Sequence, residues 1–196
     1  KWSHDELVSE IIRLQNKKKF GLVWDQKDES IIQKCIHNYQ TLVEEKTKRI
    51  NSNQDKKNNF LIEGDNYHSL YTLSFTHKNK IDIIYIDPPY NTGARDWKYN
   101  NDYVDNEDPY RHSKWLSMMY SRLYLAKKLL KDDGVLICTI DFNEQERLGL
   151  LLEDLFVFYE IKCITIVHNP SGTQGLNFSN SNEYAYFVFP KGRKYI

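Results

Sequence analysis

Ile81-Asp82-Ile83-Ile84-Tyr85-Ile86, running directly into Asp87-Pro88-Pro89-Tyr90, is the stretch that decides the fold. Its first six residues are almost continuously apolar and rich in branched side chains, the pattern of a strand covered on both faces in a parallel sheet. Two successive prolines cannot donate to a strand ladder, so the strand ends at Ile86 and the chain turns there.

Outward from this strand, apolar runs of strand length alternate with amphipathic stretches of helix length. That alternation predicts an α/β fold, a mostly parallel sheet flanked by helices. Upstream, residues 60–62 predict a short strand, and Asp65 the cap of a helix carrying Tyr67, Leu70, Tyr71 and Ser74. Downstream, residues 91–107 contain Gly93 and four asparagines without a period, and predict a long loop. Asp108-Pro109 predicts a cap and first-turn proline for a long helix, with Trp115, Met118, Met119, Leu123, Ala126 and Leu130 on its buried face. Residues 135–140 predict another buried strand. Asn143, with Glu146 three residues on, predicts the cap of a helix bearing Leu148, Leu151, Leu152 and Leu155. Two last strands are expected at 161–167 and 184–189, joined by a polar loop over 168–182.

Residues 1–50 read as a helical N-terminal segment, one helix using Leu7, Ile11 and Leu14 and a second, from about 29 to 46, using Ile32, Ile36, Tyr39 and Val43. A short apolar stretch over 20–24 separates them. Residues 51–59, rich in Asn and Lys, predict a linker, and 60–196 form the second domain.

Twenty-seven basic residues balance twenty-seven acidic ones, so net charge gives no reason to expect a polyanionic partner, and any such case must come from a site. Cys35, Cys138 and Cys163 are odd in number and widely spaced, which fits neither a disulfide framework nor a zinc site; they are expected to be reduced and buried. No metal is expected. No apolar run approaches the ~20 residues of a membrane span, and the charged start lacks a signal peptide's apolar stretch, so a cytoplasmic location without membrane association is expected.

Ligands of open parallel sheets gather beyond the carboxyl ends of the strands, where Asp87 is expected. An exocyclic amine on a nucleobase is a poor nucleophile because its lone pair is delocalised into the ring. The Asp87 carboxylate and the Pro88 carbonyl can accept its two hydrogens and steer the nitrogen toward tetrahedral geometry. The paired prolines hold that carbonyl in a fixed direction. A base inside a duplex must first be flipped out, at about a few kcal/mol, and stacking on Tyr90 can return ~1–3 kcal/mol. The same tetrapeptide taken alone also reads as a strand ending in a proline turn.

Gly64-Asp65-Asn66-Tyr67, Ile86-Asp87-Pro88-Pro89-Tyr90-Asn91-Thr92-Gly93 and Tyr110-Arg111-His112-Ser113-Lys114-Trp115-Leu116 resemble the modification subunit of type III restriction-modification systems. The similarity continues through Asp141-Phe142-Asn143-Glu144-Gln145, Asn169-Pro170-Ser171-Gly172 and Glu183-Tyr184, and covers most of the chain. Those subunits are β-group amino-methyltransferases. The resemblance implies a partial Rossmann-like methyltransferase fold with S-adenosylmethionine as cofactor. It implies double-stranded DNA as substrate, with methylation of the N6 amine of a flipped-out adenine, and a second copy and a restriction (helicase/nuclease) subunit as partners. Asp87, Pro88, Pro89 and Tyr90 become the catalytic residues, Asp65 and Asp87 the cofactor-binding ones, and Tyr90 and Asn91 the substrate-binding ones. His112 reads only as a helix-surface or packing residue. The family's Phe-x-Gly-x-Gly cofactor segment and target-recognition region do not occur here, so 60–196 is expected to be an incomplete catalytic domain.

Other chemistries are weaker. Asp87 with Asp96-Trp97-Lys98 has the residue order of a metal-dependent nuclease, but the second pair is expected in a loop rather than on an adjoining strand. Cytosine carbon-5 methylation requires a cysteine nucleophile, usually after proline, and none of the three cysteines follows one. A protein glutamine methyltransferase would begin the tetrapeptide with Asn. Cytosine N4 methylation, and a scaffold fragment without activity of its own, remain open.

Overall fold

The computed structural model describes residues 3–16, 21–25, 27, 29–38, 40–49, 59–168, 170, 172 and 180–193. Strand β1 (Ile81–Ile86) pairs in parallel with β4 (Leu130–Ile140); β4 pairs antiparallel with β6 (Asn182–Pro190), and β6 antiparallel with β5 (Tyr159–Val167). The sheet order is β1-β4-β6-β5. Helix α4 (Arg111–Leu129) makes the crossover that a parallel β1–β4 pair requires, and α5 (Gln145–Leu155) links β4 to β5. This is the expected α/β arrangement, with a mixed rather than mostly parallel sheet. The physical reason lies between β5 and β6: the His168 amide donates to the Ser181 carbonyl at 3.0 Å, closing the two strands into a hairpin that forces an antiparallel pair.

The core sits between the sheet and helices α4 and α5. Trp115, Leu123, Leu136, Ile140, Leu148, Leu151, Leu152 and Val188 are fully buried there, including much of the face predicted for α4. Strand β1 differs from expectation. It is an edge strand, and Ile83 and Tyr85 on one face are 63% and 64% exposed while Ile84 and Ile86 pack on the core. Residues 60–62 form no strand and pair with none of the described strands, and Phe60 and Leu61 are strongly exposed.

Residues expected to be loop form a hairpin instead, β2 (Ala94–Tyr99) with β3 (Asp102–Asp105). Asn100 and Asn101 at its tip have φ of +51° and +73°, the two left-handed residues of a tight primed turn, and Trp97, Tyr99 and Val104 join the main core. The alternation of Trp97, Tyr99 and Val104 about an Asn-Asn pair was the available signal. Asp96 and Lys98 therefore lie on a strand, but in a separate sheet from β1, with the Lys98 ammonium 4.4 Å from the Tyr103 ring.

Helix α3 (Asn66–Thr76) begins as predicted: the Asp65 side chain accepts from the Tyr67 amide at 2.8 Å. At α4 the predicted cap is displaced, since Tyr110 occupies the cap position and Asp108 instead accepts from the Tyr110 amide and from Lys114. At α5 the predicted Asn143 cap is displaced to Glu144, because the Asn143 amide is itself turned onto Asp141 at 2.8 Å. The N-terminal segment holds α1 (His4–Asn16), opened by a reciprocal Ser3–Glu6 box, and α2 (Ser30–His37). Helix α2 stops well short of residue 46; Cys35 packs with Tyr67 and Leu125, whereas Val43 beyond it is 88% exposed. Leu7 and Ile11 are about half exposed, and Tyr39 and the expected linker residues 51–58 lie outside the described residues. Cys35 and Cys138 are buried and free as expected, whereas Cys163 is exposed. Among the described residues no helix is long and apolar enough to cross a membrane.

Truncating Leu151 to alanine leaves a cavity in the fully buried α5 face and is expected to lower unfolding stability by ~2–5 kcal/mol, while the same change at neighbouring, half-exposed Leu150 lowers it by less than ~1 kcal/mol. Denaturant unfolding of the two variants measures both. A pH prediction concerns Asp108. Burial raises its pKa, but the hydrogen bonds from Lys114 and the Tyr110 amide outweigh that and hold it below the ordinary value of 3.8. A depressed folded-state pKa stabilises above the unfolded value and is lost as pH falls through the folded one. The stability gap between parent and Asp108→Asn is therefore expected to be full at neutral pH and to close below pH 3.8.

Candidate active site

The parallel register pairs Ile86 with Cys138, so the residues that follow, Asp87 and Thr139, emerge side by side at the same end of the sheet. The Thr139 hydroxyl donates to Asp87 Oδ1 at 2.7 Å and leaves the carboxylate exposed to solvent. Pro88 is buried, while Pro89 and Tyr90 are half-buried. The Trp115 indole on α4 donates to the Pro89 carbonyl at 2.6 Å. The Tyr90 hydroxyl donates to Glu183 Oε2 at 3.3 Å.

Three different elements thus hold one tetrapeptide: β4 through Thr139, α4 through Trp115 and β6 through Glu183. The Tyr90 phenol is pushed far above its usual range, by burial first and by the charges of Asp87 and Glu183, against the hydrogen bond from Thr139. Its ring stays neutral at any ordinary pH. Because β6 runs antiparallel, its start lies beside the end of β4, and Asp87, Asp141 and Glu183 share the carboxyl end of β1 and β4. Burial raises the Asp141 pKa, with the Glu183 charge adding to it and the Asn143 hydrogen bonds opposing.

Asn91, expected beside a substrate, is instead fully buried. Its carbonyl oxygen accepts from the Trp97 indole at 3.1 Å, and its amide donates to Glu144 Oε1 and to the Arg111 carbonyl. With both amide ends engaged and no exposed surface, it belongs to the wall behind the site. His112 has more than a surface role, since its Nδ1 lies 2.5 Å from the same Glu144 oxygen. Glu144 is fully buried; its pKa is raised by desolvation, against the hydrogen bonds from Asn91 and His112. Nothing in the local pattern marked Glu144, because a Glu at a helix start ordinarily reads as a first-turn acid facing water.

Asp65 stands apart from the tetrapeptide. Its carboxylate caps α3 and lies 3.7 Å from Arg122, which also bonds Glu29 and Asn66. Arg122 is seven residues along α4 from Trp115, about 10 Å of helical rise. Cys138 lies directly behind Asp87, but burial and the Asp87 charge push its thiol up to about 12, so it is no nucleophile at neutral pH.

The family model described as DNA methylase matches residues 81–196, more than half of the chain and all of the tetrapeptide. The chain belongs to the DNA methylase family. Among curated members it is 32% identical to the type III restriction-modification enzyme EcoPI Mod subunit of Escherichia phage P1, across 96% of this chain and 33% of that one. It is 30% identical to the EcoP15I Mod subunit of Escherichia coli, across 97% and 34%. It is 40% identical to the HindVI Mod subunit of Haemophilus influenzae, described as a probable type III enzyme, across 69% and 18%. The chain therefore spans about a third or less of the length of these relatives. Of solved structures, the M1.HpyAVI–SAM complex overlaps 68% of this chain and 54% of its own, at 14% identity and a TM-score of 0.46. PvuII DNA methyltransferase (cytosine-N4-specific) overlaps 62% and 46%, at 13% and 0.44. At these scores the fold assignment rests on the sheet itself.

Proposed function

We propose that this chain is the target-amine side of an S-adenosylmethionine-dependent DNA methyltransferase, acting on adenine N6 as the modification part of a restriction-modification system. The observation that carries it is the exposed Asp87 carboxylate, fixed by Thr139 beside a rigid Pro-Pro turn and next to the half-buried ring of Tyr90. The Pro89 carbonyl is committed to Trp115, so the second acceptor of the clamp is that of Pro88. Asp87 and Pro88 take the two amine hydrogens and turn the nitrogen lone pair outward. Tyr90, neutral and fixed at its hydroxyl, offers its ring to the flipped base. The exposed Asp87 carboxylate stands where it can take the proton that the nitrogen gives up.

The residues present suit the cofactor. Asp87, Asp141 and Glu183 make this end of the sheet acidic, which matches a ligand carrying a sulfonium and an ammonium group. Asp87 and, farther along the helices, Asp65 would hold it, and when bound it supplies an electrophilic methyl group. The uncovered face of β1 supports a further point, that the rest of the cofactor pocket comes from additional strands of a longer polypeptide laid against β1, as the greater length of the relatives also suggests. The restriction-modification names of the Mod relatives support DNA and a restriction subunit as partners; double-stranded substrate, a second copy and a cytoplasmic location belong to the same proposal.

Measurements on variants, on the product and on the chain alone test this. In the full-length polypeptide, Asp87→Ala is expected to lower methyl transfer from labelled cofactor to DNA by ~10²-fold or more, and Tyr90→Ala to weaken binding of DNA with a mismatched target base by ~5- to 150-fold while Tyr90→Phe retains it. Equal activity of parent and Asp87→Ala removes the clamp, and nucleoside analysis of the product separates N6-methyladenine from N4-methylcytosine. The 196-residue chain alone is expected not to bind S-adenosylmethionine in calorimetry at micromolar levels; binding there would show that no further strands are needed.

A further inference from the structure

We propose that Glu144 is a positioning residue for this clamp: through Asn91 and His112 it fixes the path of the backbone immediately after Tyr90, and thereby the aim of Pro88 and Tyr90. The inference rests on the amine clamp proposed above. Asn91 is the residue at which the chain reverses, with φ of +59°, a conformation that Asn tolerates better than most side chains but does not prefer. Something outside the backbone must hold it there. Its amide is held on one side by Glu144 Oε1 and the Arg111 carbonyl, and on the other by the Trp97 indole.

Glu144 has no exposed surface, and a buried carboxylate is tolerated only when partners compensate its lost hydration. Its partners converge from three elements: Asn91 from the loop after β1, His112 from the first turn of α4, and Arg147 from α5, whose guanidinium is 3.6 Å from Oε2. Among the described residues Oε2 accepts no hydrogen bond, so the carboxylate's contacts concentrate on the oxygen that faces Asn91 and His112. A group this expensive to bury, spent on the residue next to Tyr90, suits a site in which small displacements matter. Misplacing a reacting group by ~1 Å can cost ~10²-fold in rate. Glu144 touches neither substrate nor cofactor in this scheme and acts only through Asn91.

The test compares parent, Glu144→Leu, Asn91→Gly and the double variant in the full-length polypeptide, with turnover expressed per S-adenosylmethionine-binding site so that misfolded protein is not counted. Glycine at 91 keeps the positive φ without strain, and Glu144→Leu leaves no buried charge unpaired, so the two single variants probe the tie from opposite ends with different effects on folding. Each single variant is expected to lose turnover per site about tenfold or more, with KM for DNA and cofactor within about twofold of the parent. The double variant is expected to match the singles, because both changes cut the same tie. Parental turnover per site in Asn91→Gly, or losses that multiply in the double variant, would overturn the proposal. Asp87→Ala run alongside keeps the two ideas apart: if it is inactive while Asn91→Gly matches the parent, only the positioning role falls, and if it is fully active the clamp itself falls.

Discussion

The parallel pairing of β1 with β4 is the constraint on which the rest depends. Its register sets Ile86 against Cys138, and from that single alignment Asp87 meets the Thr139 hydroxyl rather than the core. A slip of one residue would turn every side chain of β1 to the opposite face and send Asp87 away from β4. Parallel pairing also demands a long return connection, and α4 makes it. The helix that satisfies this demand carries Trp115 and His112 in its first turns, so the connection that permits the strand pair also supplies two of the groups that hold the site.

The tetrapeptide is accordingly a loop with little freedom. Its rigidity does not come from the prolines alone, since Thr139, Trp115 and Glu183 each bond a different residue of it from a different element. Behind it stands a second layer, Asn91 with Glu144, Trp97 and His112, fully buried at its centre. Electrostatic help to a developing charge is effective when donors and acceptors are already in place, and two layers of ties are a means to that end. The acidic end of the sheet and the exposed face of β1 border the same loop.

Much of this was legible from residue order. The strand at 81–86, the Asp65 cap and the buried stripe of α4 each follow from local chemistry: branched apolar residues favour a strand, a carboxylate satisfies free helix amides, and a 3.6-residue period makes one face. The hairpin over 94–105 was missed because four asparagines and a glycine suggested a loop, although two adjacent asparagines are also what a primed turn requires. The mixed sheet was missed because a strand's sequence does not state the direction of its neighbour.

By itself, then, the sequence determined the α/β character, the end of β1 at a rigid turn and the Asp-Pro-Pro-Tyr order on which the proposed amine clamp rests, since these depend on residues close together along the chain. Only the tertiary structure decided that Asn91 faces inward, that Glu144 meets both it and His112, and that Asp65 lies beside Arg122. The reason is physical. Burial of a carboxylate, and the partners that make it tolerable, are properties of groups separated by fifty-three residues between Asn91 and Glu144, and no local pattern carries that distance.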